Sequence, residues 1–222
     1  MNTQSFVRAV SQLSFEHAFN PYTDHCAIFD RTDAARTRAA ALEAMLESAM
    51  SEPVDAIWVG RDLGYRGGRR TGLALTDEVN ANAHMNRWGV EIERPTMGDI
   101  VAERTAAVIW TMLAQIDARI FLWNVFPLHP HEPDRPFTNR THNAKERRAG
   151  EDILAMLIEL LQPRRIFAIG NDAALAVARI DATLPTIPVR HPSYGGQAQF
   201  LRQVRAAYNL VDPPEPTMPR LL

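Results

Sequence analysis

Cysteine and lysine are nearly missing from this chain. It has one cysteine, Cys26, among 222 residues. A single thiol forms no internal disulfide, builds no cysteine-rich zinc site and holds no iron–sulfur cluster. One lysine, Lys145, accompanies 23 arginines. Amine chemistry through a Schiff base therefore has one candidate side chain, and it sits in the segment NAKERR, which reads as the opening of a helix. Long apolar runs are missing as well. The best, Ala106 to Leu113, is flanked by Glu103, Arg104, Gln115 and Asp117, far short of the roughly 20 residues a membrane helix needs. Arg8 is followed by Glu16 and His17 and by no small-residue cleavage site, so no secretory signal is expected. With a free cysteine, the expected compartment is the cytoplasm. The net charge of −2 argues mildly against indiscriminate nucleic-acid coating. Hydrophobic residues at 46% and charged residues at 23% fit a globular chain and exclude disorder as a whole-chain description.

The length suits one domain. We read residues 1–222 as a single domain with an N-terminal helical extension over about 1–52 and a loose proline-rich tail over about 212–222. Residues 4–18 are weakly amphipathic. Thr32 or Asp33 can cap a helix carrying Leu42, Met45, Leu46 and Ala49 on one side. Three apolar runs read as buried strands: VDAIWV at 54–59, RIFLWNV at 119–125 and RIFAI at 165–169, with a short fourth near 187–190. Helices are expected from Thr76, over Met97–Ile116, through Ile153, Leu154, Leu157, Ile158 and Leu161, after Gly170, and over Gln197–Asn209. Strands alternating with helices predict a parallel sheet covered on both faces: an α/β fold, a three-layer α/β/α sandwich around a central four-stranded parallel sheet.

In open parallel sheets ligands bind at the carboxyl ends of the strands. After the first strand come Gly60, Arg61, Asp62, Leu63, Gly64 and Tyr65, then a glycine–arginine loop with Arg66, Arg69 and Arg70. Asn124 ends the second strand and leads into Phe126-Pro127-Leu128-His129-Pro130. Gly170-Asn171 follows the third, and His191-Pro192-Ser193-Tyr194-Gly195-Gly196 the fourth. A carboxylate, an amide and an imidazole are thus expected on one rim. His129, His131, Glu132 and His142 are close enough in sequence to raise a zinc site, but the loop offers no well-placed third ligand, so no metal is expected. No cofactor is expected either; the absence of GxxxxGK[ST] and GxGxxG argues against a nucleotide-handling enzyme.

The ordered set GRDLG, TGLALTDE, WNVFPLHP, AIGNDAA and RHPSYGG resembles the uracil-DNA glycosylase superfamily over roughly residues 54–205. The resemblance implies a DNA repair enzyme that flips a uracil nucleotide out of DNA and hydrolyses its N-glycosidic bond. It assigns His191 to the leaving base's O2, Asp62 to the attacking water and the cationic sugar, and Asn124 to the pyrimidine edge. It implies base contacts from Gly60, Arg61, Leu63, Gly64, Tyr65, Leu75 and Phe126. DNA contacts are expected from Arg69, Arg70, Ser193, Tyr194 and Gly195, with Tyr194 as the wedge. The implied partners are uracil-containing DNA and free uracil as product, with no membrane, and a monomer is expected. Two positions depart from the family pattern. Gly64 stands where the most uracil-selective members carry a Tyr that excludes the thymine methyl, and Leu75 where many place a stacking Phe. These departures keep open a base- or nucleotide-binding module on the same scaffold that performs no chemistry; the arginine-rich loop offers a third reading, a nucleotide-handling α/β enzyme in which it holds a phosphate.

Overall fold

The computed structural model describes residues 1–181 and 183–211; the expected tail over 212–222 lies outside the described residues. Four parallel strands form the central sheet: β2 (Ala56–Asp62), β3 (Ile120–Phe126), β5 (Arg165–Ile169) and β6 (Thr186–Val189), in the order β3-β2-β5-β6. Alternation along each strand sends side chains to opposite faces. Ile57, Val59, Phe121, Trp123, Val125, Ile166 and Ala168 enter one core. Ala56, Trp58, Ile120, Leu122, Phe167 and Ile169 enter the other. Burial on both faces explains why these strands read as continuous apolar runs rather than as alternating ones.

The first core is covered by α1 (Thr3–Ser11), α2 (Ala34–Ser51), α6 (Ala144–Leu161) and α7 (Asn171–Ile180). The second is covered by α5 (Arg104–Leu113) and α8 (Gln197–Tyr208). This is the expected α/β/α sandwich. The N-terminal helices share the sheet's core: Phe6 and Val10 are fully buried, and the Phe6 ring lies 5.5 Å from that of Trp123. The first helix is shorter than expected. It stops at Ser11 because the Asn20 amide donates to the Val10 and Leu13 carbonyls at 2.9 and 3.0 Å, satisfying its open end. The loop after β3 contains β4 (His129–Pro130), which pairs antiparallel with β1 (Ala18–Phe19).

The segment between β2 and β3 departs most from expectation. Residues 68–71 form α3 (Gly68–Thr71), and the helix expected from Thr76 begins only at α4 (Ala81–Asn86). The helix expected from Met97 begins at Arg104. The cause is tertiary. The Asp77 carboxylate accepts from the Asn80 N–H at 3.0 Å and the Glu103 N–H at 2.6 Å. The Glu78 carboxylate accepts from the Val101 N–H at 2.8 Å and pairs with Arg70 at 2.9 Å. These acids tie 96–103 down as extended chain, and Gly98 turns within it at φ +78°.

Candidate active site

The ends of the four strands bring together side chains that lie up to 130 residues apart. Parallel register sets Gly60 of β2 beside Asn124 of β3, and Asp62 beside Phe126. A Cβ at Gly60 would stand 2.4 Å from Asn124 Oδ1 and 2.7 Å from Leu75 Cδ2, so any side chain there would push one of them aside. Leu75 holds this place with φ at +54°, a conformation uncommon outside glycine and found at functional sites. Asn124 is 1% exposed, and neither Oδ1 nor Nδ2 has a hydrogen-bond partner. A buried amide with both ends unpaired costs stability and calls for an explanation.

Asp62 is nearly buried. Its Oδ2 accepts from Arg61 Nε at 2.9 Å, and its Oδ1 is bonded to Nδ1 of His142. Arg61 reaches on to Asp172 at 3.5 Å, joining the end of β2 to the first turn of α7. Sequence reasoning weighed His142 only as a metal ligand and missed this contact. The structure explains why the imidazole is steady. Asn143, next in the chain, caps α6 by accepting from Lys145 N–H and Glu146 N–H at 2.9 and 3.0 Å. Glu146 accepts in turn from the Asn143 N–H at 2.7 Å and is gripped by Arg140 at 2.6 Å.

His191 follows β6. Its Nδ1 accepts the Ser193 backbone N–H at 3.1 Å. In the neutral ring the proton therefore sits on Nε2, leaving an N–H donor for a ligand. Burial pushes the imidazole below its ordinary pKa, and Arg61 and Arg190 push the same way against Asp172. The neutral form thus dominates at pH 7. The tight loop that presents it needs Gly196, where a Cβ would stand 2.0 Å from the His191 carbonyl oxygen. Ser193 Oγ lies 3.2 Å from Thr105 Oγ1 at the start of α5. Tyr194, at φ +52°, is 98% exposed at the loop tip, followed by Gly195 at φ +76°.

The remaining residues divide. Leu63 is buried, and its N–H donates to the Leu128 carbonyl at 3.2 Å. Tyr65 is half-buried, with its N–H bonded to Asn139 Oδ1 at 3.0 Å. Phe126 is fully enclosed, with the Phe15 ring edge-on at 5.6 Å and that of His142 at 6.2 Å. Arg69 and Arg70 require a correction. They were expected to meet DNA, but both are buried. Arg69 lies over Phe19 at 3.9 Å and contacts His129 Nδ1 at 3.1 Å; Arg70 lies over Phe29 at 4.1 Å and pairs with Glu78. Cation–π and ionic contacts inside the fold leave neither free for a phosphate. Arg61 and Arg66 remain exposed on the loop.

Glu103 was missed altogether. A Cβ at Gly64 would stand 3.0 Å from its Oε1, and one at Gly67 would stand 2.3 Å from its Oε2. Burial raises this carboxyl to about 7, Asp77 adds to the rise, and Arg66 opposes it. His129 is also buried, well below its ordinary pKa at about 3, chiefly by desolvation and then by Arg69. Its Nε2 faces the Thr138 carbonyl at 2.9 Å, so its ring is spent on structure. Among the described residues no group of three or more His, Cys, Asp or Glu side chains could hold a metal ion, and no helix is long and apolar enough to cross a membrane.

Known structures offer a comparison for this arrangement. Wild-type SMUG2 from Pedobacter heparinus is similar over 93% of this chain and 95% of its own, with 14% identity and a TM-score of 0.59. Wild-type UNG from Nitratifractor salsuginis aligns over 93% and 94% at 13% identity, with a TM-score of 0.45. No curated protein matches the chain. Residues 52–210, which hold every strand end described above, match the family model for the uracil DNA glycosylase superfamily, and the chain belongs to that superfamily.

Proposed function

We propose that the protein is a monofunctional DNA glycosylase that removes uracil from DNA. The observation that carries the reading is the unpaired amide of Asn124, buried against Gly60, with Asp62 at the end of the neighbouring strand β2 and His191 following β6 at the same end of the sheet. Uracil would complete it: N3–H donates to Asn124 Oδ1, and O4 accepts from Nδ2. With the amide held in this orientation, cytosine presents the reverse pattern and would leave both atoms unpaired, at about 1–3 kcal/mol each. A base inside a duplex must first be flipped out, at a cost of a few kcal/mol. The exposed Tyr194 suits the wedge that fills the gap, and Ser193 and Gly195 suit contacts to the neighbouring backbone.

Hydrolysis breaks the bond between C1′ and N1. The bonding pair leaves with the base, whose negative charge spreads to O2, and C1′ becomes cationic. The Nε2–H of a neutral His191 donates to O2 and stabilises the leaving anion, while the Asp62 carboxylate faces the sugar, stabilises the cation and orients the water that adds at C1′; the proton this water loses passes through Asp62 or solvent and ends on the uracil anion, giving neutral uracil. Arg61 and His142 hold that carboxylate in place, so we assign both a positioning role. The one lysine, Lys145, lies over the Phe15 ring at 5.9 Å on the first turn of α6. The products are then free uracil and an intact abasic strand.

Incubation with single- and double-stranded oligonucleotides carrying one uracil, followed by alkali, tests this. Strand breaks only after alkali and release of free uracil are expected. Tight binding of the same DNA without any abasic product would favour a binding module instead, and no abasic product from either strand would end the enzymatic reading.

A further inference from the structure

The pocket's remaining wall is not supplied by the loop that should supply it. On the uracil-pocket reading, a pyrimidine with O2 at His191 and O4 at Asn124 would turn its C5 edge, opposite C2 in the ring, toward the chain that follows Asp62. That chain offers Gly64, which has no side chain. The direction a side chain would take from Gly64 ends on the carboxyl group of Glu103, 3.0 Å from the Cβ position. We propose that Glu103 is the specificity-determining residue at the C5 edge, a polar wall that rejects an apolar 5-substituent and tolerates a small polar one. The inference rests on the uracil-pocket reading above and deepens it.

Three observations fix Glu103 beside Gly64, at the start of α5. Its backbone N–H is fixed by Asp77 at 2.6 Å, which sets where α5 begins. Its Oε2 occupies the space Gly67 leaves empty, so a larger residue at 67 would displace it. Two residues on, Thr105 meets Ser193 of the His191 loop at 3.2 Å, so the start of α5 braces both loops that bound the pocket. A carboxyl held among these groups behaves unlike an aromatic wall. A methyl pressed against it removes water from its oxygens and returns no hydrogen bond, which is unfavourable. A hydroxymethyl in the same place both fills the space and pairs with the carboxyl. Asp77 and Arg66 are the charged groups that face it.

The test uses the full chain on single-stranded oligonucleotides carrying uracil, thymine or 5-hydroxymethyluracil, comparing kcat/KM ratios so that any general loss of activity cancels. The unmodified protein is expected to release uracil and 5-hydroxymethyluracil and to release thymine at least 100-fold more slowly. Glu103→Ala should raise thymine release relative to uracil at least tenfold. Glu103→Leu, which keeps the bulk, should still exclude thymine but lose 5-hydroxymethyluracil relative to uracil at least tenfold. Uracil release with both ratios unchanged in either folded variant overturns the role of Glu103 alone. Failure of the unmodified protein to release uracil overturns the pocket reading, and Glu103's role with it.

Discussion

Replacing Asn124 with Leu should stabilise the protein while destroying its activity. A structural asparagine behaves in the opposite way. At Asn124, two polar atoms are buried with no partner. Each such atom costs about 1–3 kcal/mol relative to a paired or apolar one. Leu has a similar volume and removes both penalties, but its branched end must fit beside Leu75 and Gly60, where space is tight. Overpacking there takes back about 1–3 kcal/mol. The net expected gain is about 1–3 kcal/mol. For a chain of this size that corresponds to a rise in Tm of roughly 2–12 °C, at about 2–4 °C per kcal/mol. Uracil release should fall by a factor of 10³ or more, since the site can no longer pair with N3–H and O4. Differential scanning calorimetry and an alkali-cleavage assay on the same preparation decide it. A fall in Tm of several degrees, or activity within tenfold of the unmodified protein, would refute the argument that this amide is kept unpaired for a ligand.

Asp62→Asn and His191→Ala should each lower kcat by about 10²–10³ or more with little change in fold, since each removes a charge or donor aimed at the transition state; near-normal single-turnover rates in both would remove the mechanism. Glu103→Gln should change how stability varies with pH. The folded carboxyl holds its proton to about 7, whereas the unfolded chain releases it near 4.5, so the group becomes progressively unfavourable as pH rises through that window. The Tm of Glu103→Gln relative to the unmodified protein should therefore climb between pH 5 and 8; a difference independent of pH would contradict a buried, raised carboxyl. Tyr194→Ala should weaken excision from duplex DNA more than from single strands, because a wedge matters only where a stack must be opened; equal losses on both would reassign the residue.

The strands were legible because burial on both faces writes itself as unbroken apolar runs, and RIFAI at 165–169 matches β5 residue for residue. The places of Asp62, Asn124 and His191 in or just after their strands were legible because each follows or ends such a run. What escaped was set by contacts between distant segments. Thr76 and Met97 looked like helix starts, yet Asp77 and Glu78 spend their carboxylates on the backbone of 101–103. Arg69 and Arg70 looked like a phosphate-binding pair, yet Phe19 and Phe29, some 40–50 residues earlier, supply the rings that bury them. His142 and Glu103 carry no local signal at all. One reads as a loop histidine and the other as a residue before a helix, and only the folded chain sets them against Asp62 and Gly64.

The most direct measurement is a crystal structure of the Asp62→Asn protein bound to DNA containing a single uracil. The account predicts that uracil lies outside the helix, with N3–H and O4 on the Asn124 amide, O2 on Nε2 of His191, C1′ beside residue 62 and C5 facing Glu103. A uracil still stacked in the duplex, or bound away from Asn124 with that amide still unpaired, would contradict it.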